Sequence, residues 1–561
     1  MKTELKQLIE KAILEAKKNQ AWPDFELPEI VVDYPKQENF GDYTTNIAMI
    51  LAKKVGKSPM ETAEKIKNEL CHSGLDPESK EIPESSSGQA LNQVQDDTCK
   101  EFEKIEVVAP GYINFYLAKK YLQNIVAEVN KEKENFGSSK IGNGVKINNE
   151  FISANPTGPL HLGNGRGGFY GDSISKVLRK SGFEVVNEYY VNDAGEQIVK
   201  LGHSVLKDEE AVYGGEYVDS LHEKFSGESD AKTVGQKAAG LILEEIIKKT
   251  TSEKMQIGFD SWISERSLYD ESFVKKAIAT LKEKNLTYEK DGALWLRTTD
   301  FGDDKDRVLV KSDGQKTYFA SDCGYLLNKK QRSFSKVIEI WGADHHGYID
   351  RFRAAAEALG FEKGNIKFII VQLVRLVKNG KEVRMSKRAG NVVYIDDLIE
   401  MVGHDVTRFF FLMYSPDTHM NFDLGLAEER SEKNPVFYVQ YAHARIASIL
   451  RKAEQEITNY KLQITKTGLN PLTHEKELSL MRELNKFPEL VSEISQTYEV
   501  HKLPHFAIRL ADKFHSFYNE CQVIDKNNLE LSQARLSLVN AVKTVLAETL
   551  RLIGVNAPER M

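Results

Sequence analysis

The chain has 561 residues, too many for one hydrophobic core, so about three domains are expected. With 41% hydrophobic and 28% charged residues it is an ordinary soluble globular protein, and no apolar run is long enough to span a bilayer. The formal net charge of -7 gives no global nucleic-acid signal, so any nucleic acid must be held by local basic patches.

The amino terminus, MKTELKQLIEKAILEAKK, reads as an amphipathic helix over Glu4 to Lys18. Its acidic residues separate it from a secretory or transit signal. EIVVDY and KIEVVAPGYINFYL read as strands and Tyr43 to Val55 as helix, which makes residues 1–120 a small α+β domain. Inside it the segment 71–99 is rich in Ser, Gln, Asp, Pro and Gly and has almost no large apolar residues. Such a segment cannot bury enough surface to offset its ordering entropy, so it reads as a mobile insertion without a catalytic role. Cys71, Cys99, Cys323 and Cys521 show no CxxC spacing, which argues for reduced thiols in a cytosol rather than disulfides or a zinc site.

From Gly144 to about Asp423 strands and helices alternate: VKINNEFI, a helix ending at Ser181, EVVNEYYVND, then KVIEIWGA, HGYIDRFRAAAEALG and IKFIIVQLV. That alternation predicts a parallel, doubly wound α/β sheet, with the mostly helical stretch from Ala194 to Lys290 as an insertion. From about Glu428 the chain reads as helical throughout, opening with Asn434 as N-cap and Pro435 in the first turn.

Two loops carry the chemistry. SANPTGPLHLGNGRGG, Ser153 to Gly168, follows the first strand and opens a helix, where unpaired N–H groups suit a phosphate ligand. Gly163, Gly165 and Gly168 satisfy GxGxxG, but ten residues with two prolines separate them from the strand, which counts against a dinucleotide fold. A Walker loop is absent, since Leu51 stands where its first glycine should precede Gly56 to Ser58. The second loop, VKNGKEVRMSKRAGN, has a turn at Asn379-Gly380 and then crowds Arg384, Ser386, Lys387 and Arg388 around Met385. Such a cationic loop suits a polyphosphate leaving group.

Together, HLGN early and RMSKR late resemble the HIGH and KMSKS signatures of class I aminoacyl-tRNA synthetases. Within that class, SANPTGPLHLGNGRG, YYVNDAGEQ, TYFASDCGYLLNK, GADHHGY and the terminal IGVNAPERM resemble the arginyl-tRNA synthetase family, over nearly the whole chain except the polar insertion. The resemblance implies a Rossmann-like catalytic domain over 121–427 with the helical insertion at about 194–290. It also implies an accessory tRNA-contacting domain over 1–120, with ENFGDYTTNIAM as its module, and an all-α anticodon-binding domain over 428–561. The implied reaction joins ATP and L-arginine into arginyl-adenylate and pyrophosphate, then passes arginine to the terminal adenosine of tRNA(Arg). Other readings within reach are a different adenylate-forming nucleotidyltransferase and a catalytically dead tRNA-binding relative.

By that resemblance His161, Asn164 and Lys387 are catalytic. Pro159, His161, Gly163, Asn164, Gly342, Asp344, His345, Met385, Ser386 and Lys387 bind ATP, with Gly163 leaving room for the base. Arginine selectivity needs carboxylates that meet a planar guanidinium bidentately, which the resemblance assigns to Glu150 and Asp322. Tyr318 shares a helical face with Asp322 and covers the pocket, and Ser153, Asn155 and His161 complete the arginine site. Asp193 with Glu196 resembles a capping box, and a substrate contact from Asn192, Asp193 or Gln197 is the competing reading. Phe437, Tyr438 and Tyr441 sit at helical spacing and read as mostly core. The expected cofactors are ATP and a Mg²⁺ carried with it, with no dedicated metal site. The expected setting is cytoplasmic and monomeric, without DNA or membrane partners.

Overall fold

A computed structural model describes residues 1–19, 21–72, 101–383, 393–456 and 468–561. The reading of 71–99 as a mobile insertion falls almost wholly outside these residues, and so do Arg384, Met385, Ser386, Lys387 and Arg388 of the second loop.

The central sheet has five parallel strands, in the spatial order Ile366–Val371, Lys336–Gly342, Lys146–Glu150, Glu184–Val191, Ser261–Ser264. The sheet's first strand in chain order, Lys146–Glu150, lies in the middle and later strands flank it on both sides. The order therefore reverses between Lys146–Glu150 and Lys336–Gly342, where a doubly wound sheet opens a crevice at its carboxyl edge. Within the stretch read as helical insertion, Ser261–Ser264 is a strand that completes the sheet. Its four half-buried residues show no alternation, so no periodic signal marked it.

The helix Leu162–Lys180 crosses the sheet with five glycines in its 19 residues. Each glycine inside a helix costs about 0.5–1 kcal/mol relative to alanine. Close approach explains three of them: a Cβ at Gly165 would lie 2.5 Å from Ile395, at Gly168 2.7 Å from Met255, and at Gly171 2.4 Å from Phe151. The GxGxxG match is thus partly a packing device. Arg166 in the same helix is buried, and its guanidinium donates to the carbonyls of Gln372, Ser415 and Thr418 at 2.8–2.9 Å. These bonds fasten the helix to segments at the carboxyl edge of the sheet.

The far end of this helix docks on the C-terminal helices. Lys180 pairs with Glu548 at 2.8 Å, both 3% exposed, and Tyr170 donates to the carbonyl of Tyr498 at 3.0 Å. Asp172 pairs with Lys176 at 2.7 Å and with the buried Arg408, which reaches the carbonyl of Ile553. Those C-terminal helices are Pro435–Glu456, Glu475–Thr497, Lys502–Glu520 and Leu529–Ile553. The Asn434 side chain accepts from Val436 N–H at 3.0 Å, as its expected capping role requires. In the first of these helices Val436, Val439, Ala442 and Ile446 form the core face. Phe437 and Tyr438 are half-buried and Tyr441 is exposed, with Phe437 and Tyr441 stacked at 6.3 Å and Tyr441 and His515 at 6.1 Å. Phe437, Tyr441 and His515 form an outward ladder, while Tyr438 packs against the core as expected.

The N-terminal module pairs Tyr43–Thr45, Tyr112–Leu117 and Phe102–Val108 in an antiparallel sheet. The helix expected over Tyr43 to Val55 begins only at Ile47, because Tyr43–Thr45 pairs with the strand Tyr112–Leu117. EIVVDY makes a single bridge, Asp33 to Thr44, instead of a strand. The module is tied to the C-terminal helices through Glu489, which accepts from Tyr34 and Tyr43 hydroxyls at 2.5 and 3.0 Å.

Candidate active site

His161 caps the helix Leu162–Lys180. Its Nδ1 accepts from the backbone N–H groups of Gly163 and Asn164 at 3.1 and 3.4 Å, while Asn164 Oδ1 accepts from His161 N–H at 3.1 Å. A Cβ at position 163 would lie 3.0 Å from the His161 ring. Gly163 therefore makes room first for the histidine itself, where the sequence pointed to the nucleotide base. An acceptor role for Nδ1 places the neutral ring's proton on Nε2. Burial holds the imidazole below its ordinary value, against the pull of the Asp344 carboxylate. The neutral ring at the mouth of the crevice is a donor without charge.

Across the switch point, the strand Lys336–Gly342 ends in Gly342, and a 3₁₀ turn Ala343–Tyr348 follows. A Cβ at Gly342 would lie 2.6 Å from Asp344 Oδ1, so the carboxylate folds back over the strand end. Asp344 and His345 are exposed and 3.4 Å apart. Half-buried Pro159 leads into Leu160, whose carbonyl accepts from Ile395 N–H at 2.9 Å.

The backbone between strand and loop is strained. Ile152 and Ser153 have φ of +69° and +38°, a region that a β-branched residue rarely enters. The turn brings Ser153 Oγ to Glu150 Oε1 at 2.9 Å while it accepts from Tyr190 N–H at 3.0 Å. Asn155 donates to Gln197 Oε1, which joins the loop to the helix Glu196–Leu206. Glu150 Oε2 is taken by Tyr325 at 2.6 Å and Lys329 at 2.7 Å. A carboxylate has about four lone-pair sites. With three filled by the protein, Glu150 offers a single acceptor rather than the bidentate edge expected of it.

The open carboxylates lie to the side. Asp322, in the first turns of the helix Tyr318–Gln331, accepts from the Tyr348 hydroxyl through Oδ2. Burial, with the nearby Glu150 charge, pushes its carboxyl up to about 6. Tyr318 is 64% exposed, and its hydroxyl would lie 3.3 Å from a Cβ at Gly195, so it reaches toward the YYVNDAGEQ loop across the mouth of the pocket. Glu265 is a further carboxylate here, buried, and raised to about 7 by burial and then by Asp322. With its amide turned to suit both neighbours, Asn192 donates to Glu265 Oε2 at 2.7 Å. Among the described residues neither Asp322 nor Glu265 forms an ion pair. Sequence reasoning missed Glu265 because only the unrecognised edge strand Ser261–Ser264 carries it into the site.

Asp193 does not cap a helix. The helix Glu196–Leu206 starts after Gly195, and Asp193 instead accepts from Ser264 Oγ at 2.6 Å and Arg266 N–H at 3.1 Å, binding two strand ends together.

Three family descriptions match the chain: "Arginyl tRNA synthetase N terminal domain" over residues 3–83, "tRNA synthetases class I (R), catalytic domain" over 207–410, and "DALR anticodon binding domain" over 439–561. The arginine–tRNA ligase of Listeria welshimeri is 43% identical, covering 96% of each chain. That of Bacillus subtilis is 41% identical over 100% of this chain and 99% of its own. The chain belongs to the arginyl-tRNA synthetase family. A solved structure of a putative arginyl-tRNA synthetase from Campylobacter jejuni has 34% identity and a TM-score of 0.72, covering 79% of this chain and all of its own. The Thermus thermophilus arginyl-tRNA synthetase shares the fold at 21% identity with a TM-score of 0.74, covering 100% of both chains.

Proposed function

We propose that this chain is an arginine–tRNA ligase that forms arginyl-adenylate in the crevice between the first strand and Lys336–Gly342, then charges tRNA(Arg). The observation that carries the reading is the pair of carboxylates at the carboxyl edge of the sheet, half-buried Asp322 and buried Glu265, neither of which forms an ion pair among the described residues. Asp322 and Glu265 receive the guanidinium, with Tyr318 over it. Glu150, having one free acceptor, receives the α-ammonium together with Ser153 and Asn155. That places the substrate carboxylate beside the loop that ends in His161.

His161 Nε2–H and Asn164 Nδ2 donate to the triphosphate at the helix start, where the helix dipole adds about half a positive charge. Pro159, Gly163, Gly342, Asp344 and His345 line the nucleotide side. Met385, Ser386 and Lys387 supply the pyrophosphate side by family likeness. The enzyme's work is positioning and charge stabilisation, since the substrate carboxylate itself attacks the α-phosphorus. A Mg²⁺ would arrive on the phosphates rather than in a cage of protein ligands. Bound there, Mg²⁺ neutralises triphosphate charge. The outward aromatic ladder of Phe437, Tyr441 and His515 suits stacking on splayed anticodon bases. Among the described residues no helix is long and apolar enough to cross a membrane, and we take the enzyme as a cytoplasmic monomer without DNA or membrane partners.

Arginine-dependent ATP–pyrophosphate exchange, with and without tRNA(Arg), tests the reading; exchange under neither condition, or with another amino acid only, would refute it. A pH effect is also expected. Glu265 and Asp322 hold their protons to about pH 7 and about pH 6 in the free enzyme, so stability falls as pH rises and they ionise without a cation. Arginine removes that penalty only where they are ionised. Its shift of the melting temperature should be larger at about pH 8 than at about pH 5.5, and equal shifts would contradict the assignment.

A further inference from the structure

Three adjacent strands carry one row of glutamates near their carboxyl ends. Glu339 stands opposite Glu150 and Glu150 opposite Glu188 in the parallel register, and the three are 1%, 5% and 0% exposed. Like charges side by side in a sheet repel, and burial makes unpaired carboxylates costly. The helix Tyr318–Gln331 lies across the row and supplies what holds it. Arg332, just past its end, grips Glu188 with both terminal nitrogens. Lys329, fully buried, donates to Glu150 Oε2 at 2.7 Å and Glu339 Oε1 at 2.6 Å. The Tyr325 hydroxyl lies 2.6 Å from Glu150 Oε2 and 2.7 Å from Glu188 Oε1, with one proton to give to either.

Three carboxyls thus share two cations. A buried ion pair is a weak device for stability, since apolar residues of similar volume often serve as well. Its yield here is geometric. Lys329 and Tyr325 occupy the same oxygen of Glu150, which leaves Oε1, the one next to Ser153, as the single open acceptor.

We propose that Lys329 is a positioning residue for arginine activation, which fixes the Glu150 carboxylate so that Oε1 meets the substrate α-ammonium, with Glu339 as the second anion that anchors the lysine. The proposal rests on the reading of Glu150 as part of the arginine pocket. Burial and the neighbouring Glu150 raise the Glu339 carboxyl to about 8, against the pull of the Lys329 ammonium that it helps to hold.

The test measures KM for arginine and for ATP in pyrophosphate exchange, and the inhibition constant of 5-guanidinopentanoate, an arginine without its α-amine. Lys329→Met is expected to raise the arginine KM by about 30-fold or more, with the ATP KM within about 2-fold and the inhibitor's affinity within about 3-fold. Tyr325→Phe, which removes the other donor on the same oxygen, should act in the same direction more weakly. Because Lys329→Met leaves Glu339 alone in the interior, Lys329→Met/Glu339→Gln is the control. The double variant should recover thermal stability while the arginine KM stays high. Recovery of both together, or equal losses for arginine and 5-guanidinopentanoate, would overturn the proposal by making Lys329 merely structural. Glu150→Gln separates the levels: an unchanged arginine KM would remove the reading of Glu150 and the inference with it. A raised KM in Glu150→Gln beside an unchanged one in Lys329→Met would overturn the inference alone.

Discussion

Asp322→Asn should raise the KM for arginine by about two orders of magnitude while the KM for ATP stays within about 2-fold. The loss follows from charge. Asp322 accepts one hydroxyl, from Tyr348, and forms no ion pair among the described residues, while Lys329 and Arg332 are spent on Glu150, Glu188 and Glu339. A substrate guanidinium there gains a desolvated, charge-assisted pair, and truncating one side of such a pair costs about 2–5 kcal/mol. The amide of Asn keeps the volume and the Tyr348 contact but loses the charge, so discrimination of arginine from neutral citrulline should shrink in parallel. Unchanged discrimination would place the guanidinium elsewhere.

His161→Ala is expected to slow adenylate formation by about 10²–10³-fold, because it removes a donor aimed at developing phosphate charge. It also removes the acceptor for two helix N–H groups, a capping loss of about 1 kcal/mol. His161→Asn keeps a capping acceptor but has no group where Nε2–H lies, so it separates the two effects. Its melting temperature should stay near that of the parent while exchange remains slow. Full exchange activity in His161→Asn would remove the phosphate role.

The strands of the catalytic sheet were legible because apolar runs alternate with helices between Gly and Pro punctuation. The loop that carries HLGN was legible as a strand-to-helix connection from its Pro and Gly, and HLGN itself stood out only by its resemblance to the class I signature. What escaped was set at long range. Ser261–Ser264 is a strand only because Glu184–Val191 pairs with it, and Glu265 enters the pocket on its heels. The Asp193 to Glu196 spacing looked like a capping box, but the carboxylate was taken by Ser264 and Arg266, about 70 residues on. The glutamate row had a faint local sign, an acid near the carboxyl end of each of three predicted strands. Register alone brings the three side by side.

The helix Leu162–Lys180 holds the His161 cap at one end and is bolted to Glu548 at the other and, from Asp172 near its middle, through Arg408 to Ile553. At 1.5 Å per residue its 19 residues span about 28 Å. Such a rod is a lever arm: a tilt of about 4° at the bolted end sweeps His161 through about 2 Å, more than catalytic alignment tolerates. Loosening the seating of the C-terminal helices is therefore expected to slow adenylation.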